Sequence, residues 1–303
     1  RAGGMTQHLP ENRRIQRNKT GSGTKPGRAA PYENADVPYN AYPDGRLAEH
    51  AVETMGRLAK RKEPFFLAVG FYKPHLPFNA PKKYWDMYPE DTIKLPANYR
   101  KKPTDAPDGA VHNSGELRAY HGVPRRGPVS DEMARNLIRG YYACVSYTDA
   151  SVGKLLDGLD RLGLADNTII VFLGDHGYQM GEYDSWGHKH SNFEISTRAP
   201  LLIHAPGMKL AGTSTSQPTE FLDLYPTLCD LSGLAKPKHL EGKSFALMLD
   251  DPNASHRKAA CSEMMRRGRL GRSIRNRDFR YTEWRNKQKQ IIARELYDHR
   301  NDH

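Results

Sequence analysis

The sequence predicts an α/β fold: a large, mainly parallel sheet between layers of helices, with a small α+β subdomain at the C-terminal end. Three observations predict it. Short continuous apolar runs at Pro64–Phe71, Thr168–Leu173 and Pro200–Ala205 are bounded by breakers and suit strands buried on both faces. Segments with apolar residues at helical spacing lie between them, and such alternation favours helices layered around a parallel sheet. After about Pro252 the pattern changes to short β-type pieces in a basic, helix-poor context.

Taken in order, residues 1–45 are rich in Gly, Pro, Asn, Lys and Arg and read as an irregular segment. An α/β domain is expected over 46–251 and the C-terminal subdomain over 252–303. A helix starts near Asp44-Gly45, with Leu47, Ala51, Met55 and Leu58 on one face. The Pro64–Phe71 run ends in the Pro-stiffened loop Tyr72–Phe78. Residues 80–128 carry seven prolines and read mostly as loop. Ser130 is a fitting N-cap for the next helix, although Met133 stands where a capping box would want an acid. That helix is expected to bend or break before Leu162 and to close at Gly163. The run Thr168–Leu173 leads directly into Gly174-Asp175-His176-Gly177. Residues 219–233 read as helix, and Arg272–Asn276 and Phe279–Trp284 as strands.

Composition narrows the function classes. Aliphatic and aromatic residues make up 37 % of 303 residues, enough for a packed core in the central part. No apolar run approaches the roughly 20 residues a membrane helix needs, so no membrane partner is expected. The chain begins with Arg1 and shows no signal-peptide pattern, and we read it as a piece of a longer chain. The net charge of +11 is concentrated at the ends, with seven Lys/Arg against one acid in residues 1–28 and fourteen against six in 256–303. Such surfaces suit solvated basic faces or an anionic partner such as a sulfated glycan. No helix-turn-helix, zinc-finger or RNA-binding signature supports nucleic acid. Cys144, Cys229 and Cys261 are odd in number and far apart, which points to small buried hydrophobes and not to a disulfide framework or zinc site. No pattern sets an oligomeric state.

Chemistry concentrates in Gly174–Glu182. In open α/β sheets ligands sit outside the carboxyl ends of strands. Glycines on both sides of Asp175-His176 let the backbone turn sharply and approach a bound group. The pair offers a carboxylate and an imidazole to a cation, and the same pattern also suits a solvated turn. In Gly187-His188-Lys189-His190-Ser191, three adjacent cationic or potentially cationic side chains suit an anionic group or an exposed basic turn. Lys73-Pro74-His75 follows another expected strand. Two strand ends and one loop can thus bring His and Lys to one rim.

These stretches carry a family resemblance. The run GDHGYQMGEYDSWGHKHSNFEISTRAPLLIHAPG is similar to the sulfatases of the alkaline phosphatase superfamily. PFFLAVGFYKPHLPFNAPKKYWDMYP, YYACVSYTDASVGKLLDGLDRLG and GRSIRNRDFRYTEWR resemble the iduronate-2-sulfatase branch, in the right order from about Asp44. The resemblance implies an alkaline-phosphatase-like sulfatase fold and a calcium-dependent hydrolase of sulfate esters of a carbohydrate. Its nucleophile is a formylglycine made from Cys or Ser in a Cys/Ser-x-Pro-x-Arg motif. The hydrated aldehyde attacks sulfur, the alcohol leaves, and collapse of the gem-diol expels sulfate. Carried over by position, Asp175 and His176 match metal ligands, and Lys189 matches the sulfate-binding lysine. His75 matches the active-site histidine that hydrogen-bonds sulfate or protonates the leaving alcohol. His188 and His190 receive no role. Family members work outside the cytoplasm or in lysosome-like compartments.

This chain departs from the family pattern in three ways. None of its Cys or Ser residues begins a Cys/Ser-x-Pro-x-Arg motif, the paired Asp residues of the metal site are missing, and Tyr183 stands where the family often has His. The two missing motifs are expected upstream of Arg1, so the 303-residue polypeptide alone should show no turnover and weak calcium affinity. Two alternatives stand beside the sulfatase reading: a phosphodiesterase or phosphonate hydrolase of the same superfamily, and a non-catalytic protein that holds sulfated glycans. Lys189 and Lys73-Pro74-His75 favour sulfate.

Overall fold

The computed structural model describes residues 6–17, 28–61, 63–111 and 115–300. Residues 1–5 and 18–27 of the basic N-terminal stretch, the terminal 301–303 and the His188 side chain lie outside the described set. In chain order the regular elements are helix α1 (Pro10–Arg17), strand β1 (Tyr32–Glu33), α2 (Pro43–Ala59), β2 (Phe78–Asn79), α3 (Lys82–Trp85) and α4 (Asp131–Arg161). Then follow β3 (Ile170–Leu173), β4 (Gln179–Met180), β5 (Trp186–His188), α5 (Glu194–Thr197), β6 (Leu201–His204) and α6 (Leu224–Leu231). Strands β7 (Ala260–Arg266), β8 (Arg269–Arg275), β9 (Phe279–Arg285) and β10 (Ile291–Asp298) complete the chain. The described residues fall into two compact units, one drawn from Arg1–Lys102, Asn113–Asp166 and Gln179–Gly187, the other from Pro103–His112, Asn167–Tyr178 and His188–His303.

The spine of the first unit is α4, whose 31 residues span about 46 Å at 1.5 Å per residue. Ser130 caps it, its hydroxyl accepting a bond from the Met133 amide at 3.1 Å. Gly163, with φ +66°, closes it in the left-handed region. No break interrupts the helix from Asp131 to Arg161. It holds no proline, and Gly140 and Gly158 are spots where Trp85 and Val52 come close, so packing offsets their poor helix propensity. Its buried stripe includes Ala134, Leu137, Ile138, Cys144 and Tyr147. The Tyr147 hydroxyl accepts from the Gly45 amide at 2.8 Å and donates to the Tyr39 carbonyl at 2.7 Å, fixing the start of α2. Strands β1 and β2 form a short parallel pair beside α4. Helix α1 lies in the segment that reads as irregular. Its anchor is distant in sequence: the buried Glu33 carboxylate accepts from the His8 and Leu9 amides, the Asn12 side chain and the Tyr42 hydroxyl.

In the second unit, β7 to β10 form an antiparallel sheet in the order β10-β9-β8-β7, and β3 pairs antiparallel with β6. The expected strands at Arg272–Asn276 and Phe279–Trp284 are β8 and β9. Four small sheets stand among the described residues in place of one large one, and β1–β2 is the parallel pair. The Pro64–Phe71 run forms no strand among them and alternates in exposure, with Phe66 84 % exposed. Strands β3 and β6 are likewise half-covered. A run of apolar side chains reports a capacity for burial, but not which segment covers it or from which side. Cys144 and Cys229 are buried as expected, whereas Cys261 is exposed at an open strand.

Asp223, at the start of α6, holds the second unit together locally. Its carboxylate is fully buried and accepts bonds from Arg257, His256 and the Lys243 and Glu220 amides. Burial alone would raise its pKa, but Arg257 and the other donors outweigh that and hold it well below the ordinary 3.8. A depressed carboxylate contributes stability that is complete above its unfolded value and is lost as pH falls below it. Asp223→Asn should therefore cost about 1.5–3 kcal/mol at neutral pH, because Arg257 and His256 lose their bonds to a full charge and Arg257 keeps only Glu220, at 3.4 Å. In urea titrations the gap between the two proteins should shrink at about pH 3; an equal gap at both pH values would contradict this role.

Candidate functional site

The turn that follows β3 is clamped at both ends. The Gly174 amide bonds the Pro200 carbonyl at 3.0 Å, extending the β3–β6 ladder by one residue. The Gly177 amide bonds the Ser196 carbonyl in α5 at 2.9 Å. A Cβ on Gly177 would lie 1.8 Å from the Ile195 carbonyl oxygen, so no other residue fits there without moving backbone. Between these fixed points Asp175 is exposed, its carboxylate 85 % accessible, and His176 is half-buried. His176 Nδ1 donates to the Gly177 carbonyl at 2.8 Å, which leaves Nε2 as the lone-pair nitrogen of the neutral ring. Nε2 stands 3.5 Å from an Asp175 carboxylate oxygen. This is the arrangement in which a ring nitrogen fixed on the far side presents the other one to a cation.

As a metal site the pair is partial. Calcium takes six to eight oxygen ligands, and Asp175 supplies suitable ones. Among the described residues no group of three or more His, Cys, Asp or Glu is placed to hold a metal ion. The donors present therefore fit part of a divalent site and do not form a complete one.

Lys189 follows β5 in the loop that leads into α5 and is half-buried. Its surroundings are anchored. The Ser191 and Ser196 hydroxyls meet at 2.7 Å, and the Asn192 side-chain Nδ2 donates to the Gly271 carbonyl at 3.1 Å. Glu194 accepts from Arg275 at 3.1 Å and from the buried Arg280 at 2.6 Å, pinning α5 to β8 and β9. Burial would raise the Glu194 pKa, but the two guanidinium groups outweigh it and lower the value.

His75 lies in the first unit, in the loop before β2. Its Nδ1 donates to the Leu76 carbonyl at 2.8 Å, the same local device seen at His176. Nε2 stands 3.7 Å from a Glu116 oxygen, and Glu116 in turn lies 3.8 Å from Arg28. The loop is held from below. Lys73 is buried, its ammonium donating to the Pro77 and His75 carbonyls, and burial lowers its pKa against the pull of nearby anionic groups. Its amide donates to Asp44 at 2.8 Å, and the Thr148 hydroxyl donates to its carbonyl at 3.2 Å. The structure thus brings Asp175 and His176 together, sets Lys189 in the same unit, and places His75 in the other unit.

Sequence reasoning passed over Glu116, Arg28, Glu194 and Asp44. Each acts on a residue far along the chain, so no local spacing marks it.

Comparison with known proteins settles the family. The family model described as Sulfatase matches residues 15–234, and that described as N-sulphoglucosamine sulphohydrolase, C-terminal, matches 181–303. The chain belongs to the sulfatase family. It is similar to iduronate 2-sulfatase of Mus musculus, at 35 % identity over 72 % of this chain and 45 % of that one. It is also similar to a sulfatase of Formosa agariphila, at 34 % identity over 76 % of this chain and 45 % of that one. The chain therefore spans about half the length of the curated relatives it matches. Among solved structures it resembles a phosphonate monoester hydrolase from Silicibacter pomeroyi, with a TM-score of 0.74 at 21 % identity, covering 99 % of this chain and 61 % of that one. A protein solved in complex with its substrate, a glucosamine disulfate, superposes with a TM-score of 0.69 at 23 % identity, over 86 % of this chain and 64 % of that one. These likenesses show the fold, the α/β fold of the alkaline-phosphatase-like sulfatases.

The clamp makes Gly177 the sensitive point of the turn. Gly177→Ala should lower the melting temperature by about 2 °C or more, since overpacking against backbone costs about 1–3 kcal/mol. Gly70→Ala, where a Cβ meets nothing within 4 Å, should leave it within about 1 °C. Equal melting of the two variants in calorimetry would contradict the clamp.

Proposed function

We propose that this chain supplies part of the metal-binding turn and the sulfate-gripping cations of a sulfuric ester hydrolase. Its substrate is a sulfated carbohydrate, and iduronate-2-sulfate-type substrates are the first class to test. The observation that carries this reading is the clamped Asp175-His176 turn, with His176 Nδ1 committed to the Gly177 carbonyl and Nε2 left as the lone-pair nitrogen, in a chain of the sulfatase family.

In this reading Asp175 and His176 are two ligands of a divalent cation, calcium by the family pattern. When bound, the ion would neutralise charge on the sulfate oxygens. Lys189 adds a fixed positive charge for the same group, the electrostatic task that dominates such reactions. His75 uses Nε2, since Nδ1 is committed to the Leu76 carbonyl. Protonated, Nε2 hydrogen-bonds sulfate or hands its proton to the leaving alcohol oxygen, and Glu116 supplies the counter-charge. The nucleophile is a formylglycine supplied by sequence that these 303 residues do not contain. The family pattern also places the protein outside the cytoplasm or in a lysosome-like compartment. No helix among the described residues is long and apolar enough to cross a membrane.

The test joins this chain to a formylglycine-bearing segment and follows sulfate release from 2-O-sulfated uronate disaccharides. Lys189→Ala and His75→Ala should each lower kcat/KM by about 10²–10⁴-fold. The 303-residue chain alone should release no sulfate. Preference for a phosphonate monoester over every sulfate ester, or robust hydrolysis by the chain alone, would sink the proposal.

A further inference from the structure

The second unit contains an open cleft of about 740 Å³, formed by residues 216–218, Lys243, residues 255–259 and the β8–β9 turn at 276–278. None of Asp175, His176 and Lys189 lines it. Four strong cations do: Lys243, Arg257, Lys258 and Arg277, with Asp278 the one acid of the lining. We propose that this cleft is a second anion site, one that holds a sulfated stretch of a saccharide.

The charge in the cleft is uncompensated where it meets solvent. Among the described residues Lys243, Lys258 and Arg277 make no ion pair. By contrast, Arg272, Arg275, Arg280 and Arg285 of the adjoining sheet each meet a glutamate. Like charges gathered in a concave wall raise the local concentration of an anion.

The frame beneath these cations is rigid. One buried carboxylate, Asp223, holds the Lys243 amide at 2.7 Å, His256 at 2.9 Å and Arg257 at 2.7 Å. Those bonds use Nε and Nη2 of Arg257 and leave Nη1 unused. Asn276 fixes the turn that carries Arg277, its side-chain oxygen accepting from the Asp278 and Phe279 amides at 2.9 and 2.7 Å. Three separate segments thus present cations on backbone that has already lost its freedom, which lowers the ordering cost of binding.

The rest of the lining selects the class of ligand. No Phe, Tyr or Trp lines the cleft, and the His256 ring is buried against Asp223 and Phe245, so the cleft offers no open stacking platform for the bases of a single-stranded nucleic acid. Ser216, Gln217, Ser255 and Asn276 offer hydroxyls and amides suited to sugar hydroxyls, and the volume lies within the range of small-ligand pockets. The choice of a sulfated saccharide over another polyanion rests on the proposed function; the existence of an anion site does not.

The experiment is a calorimetric titration of the chain with a sulfated heparin hexasaccharide, its desulfated counterpart and inorganic sulfate. Lys258→Glu with Arg277→Glu should weaken hexasaccharide binding about tenfold or more. Lys101→Glu with Lys102→Glu, the same charge change on exposed residues of the first unit, should weaken it less than about twofold. Lys258 and Arg277 are exposed, so both double variants should keep the parent circular dichroism and melting point. Asp175→Ala with Lys189→Ala should retain the binding. That result stays readable whether or not the joined protein hydrolyses sulfate esters, so the two proposals fail separately. Equal losses in the two charge-reversed proteins, loss of binding in the Asp175/Lys189 variant, or equal affinity for the desulfated sugar or for inorganic sulfate would overturn the inference.

Discussion

The arrangement of the site depends on one residue with two backbone bonds. The Gly177 amide is tied to Ser196 in α5, and the Gly177 carbonyl takes the Nδ1 proton of His176. Position is therefore passed from α5 through a glycine to an imidazole, and the ring's remaining nitrogen is aimed at the Asp175 carboxylate. Helix α5 is a single turn and would not hold its place by its own hydrogen bonds. Glu194 gives it that place, since Arg275 and Arg280 bind the carboxylate from β8 and β9. The C-terminal sheet thus supports the turn after β3, although the two lie about a hundred residues apart in sequence.

The same logic appears in the first unit. His75 commits Nδ1 to the next carbonyl, as His176 does, and Asp44, Thr148 and the buried Lys73 ammonium hold the loop that carries it. In both units a short loop bears the imidazole while charged residues on helices or sheet define the loop's shape. Loops can be precise when their backbone polar groups are fully bonded to rigid neighbours.

Much of this was legible in the sequence where the signal is local. The Ser130 cap, the end of α4 at Gly163, the β8 and β9 strands and the flanking glycines of Asp175-His176 follow from turn chemistry and short-range spacing. So did membership in the sulfatase family, carried by motifs with fixed internal spacing. What was not legible depends on distant partners. Helix α1 carries one aliphatic residue, Ile15, and is held by Glu33, which accepts from the His8 and Leu9 amides just before it and from the Asn12 side chain. The apolar runs promised strands buried on two faces, yet Pro64–Phe71 has no ladder partner among the described residues, and β3 meets β6 antiparallel. Apolar patterning encodes what a segment can bury; pairing direction and coverage are set by the other segment. The supporting residues of the site, Glu116, Arg28, Glu194 and Asp44, were missed for the same reason.

Carboxylates drawn among cations recur as organisers: half-buried Glu194 beside Arg275 and Arg280, and buried Asp223 beside Arg257 and His256. Each removes a charge from water and is worth that cost only because several donors meet it at once. The central claim is that Asp175 and His176 act as a ligand pair on the clamped turn. A manganese titration of the isotope-labelled chain tests it most directly, because paramagnetic broadening reports even weak binding. The His176 ring signals should broaden first and Asp175→Ala should abolish the effect. Broadening that leaves His176 sharp, or that survives Asp175→Ala unchanged, would contradict it.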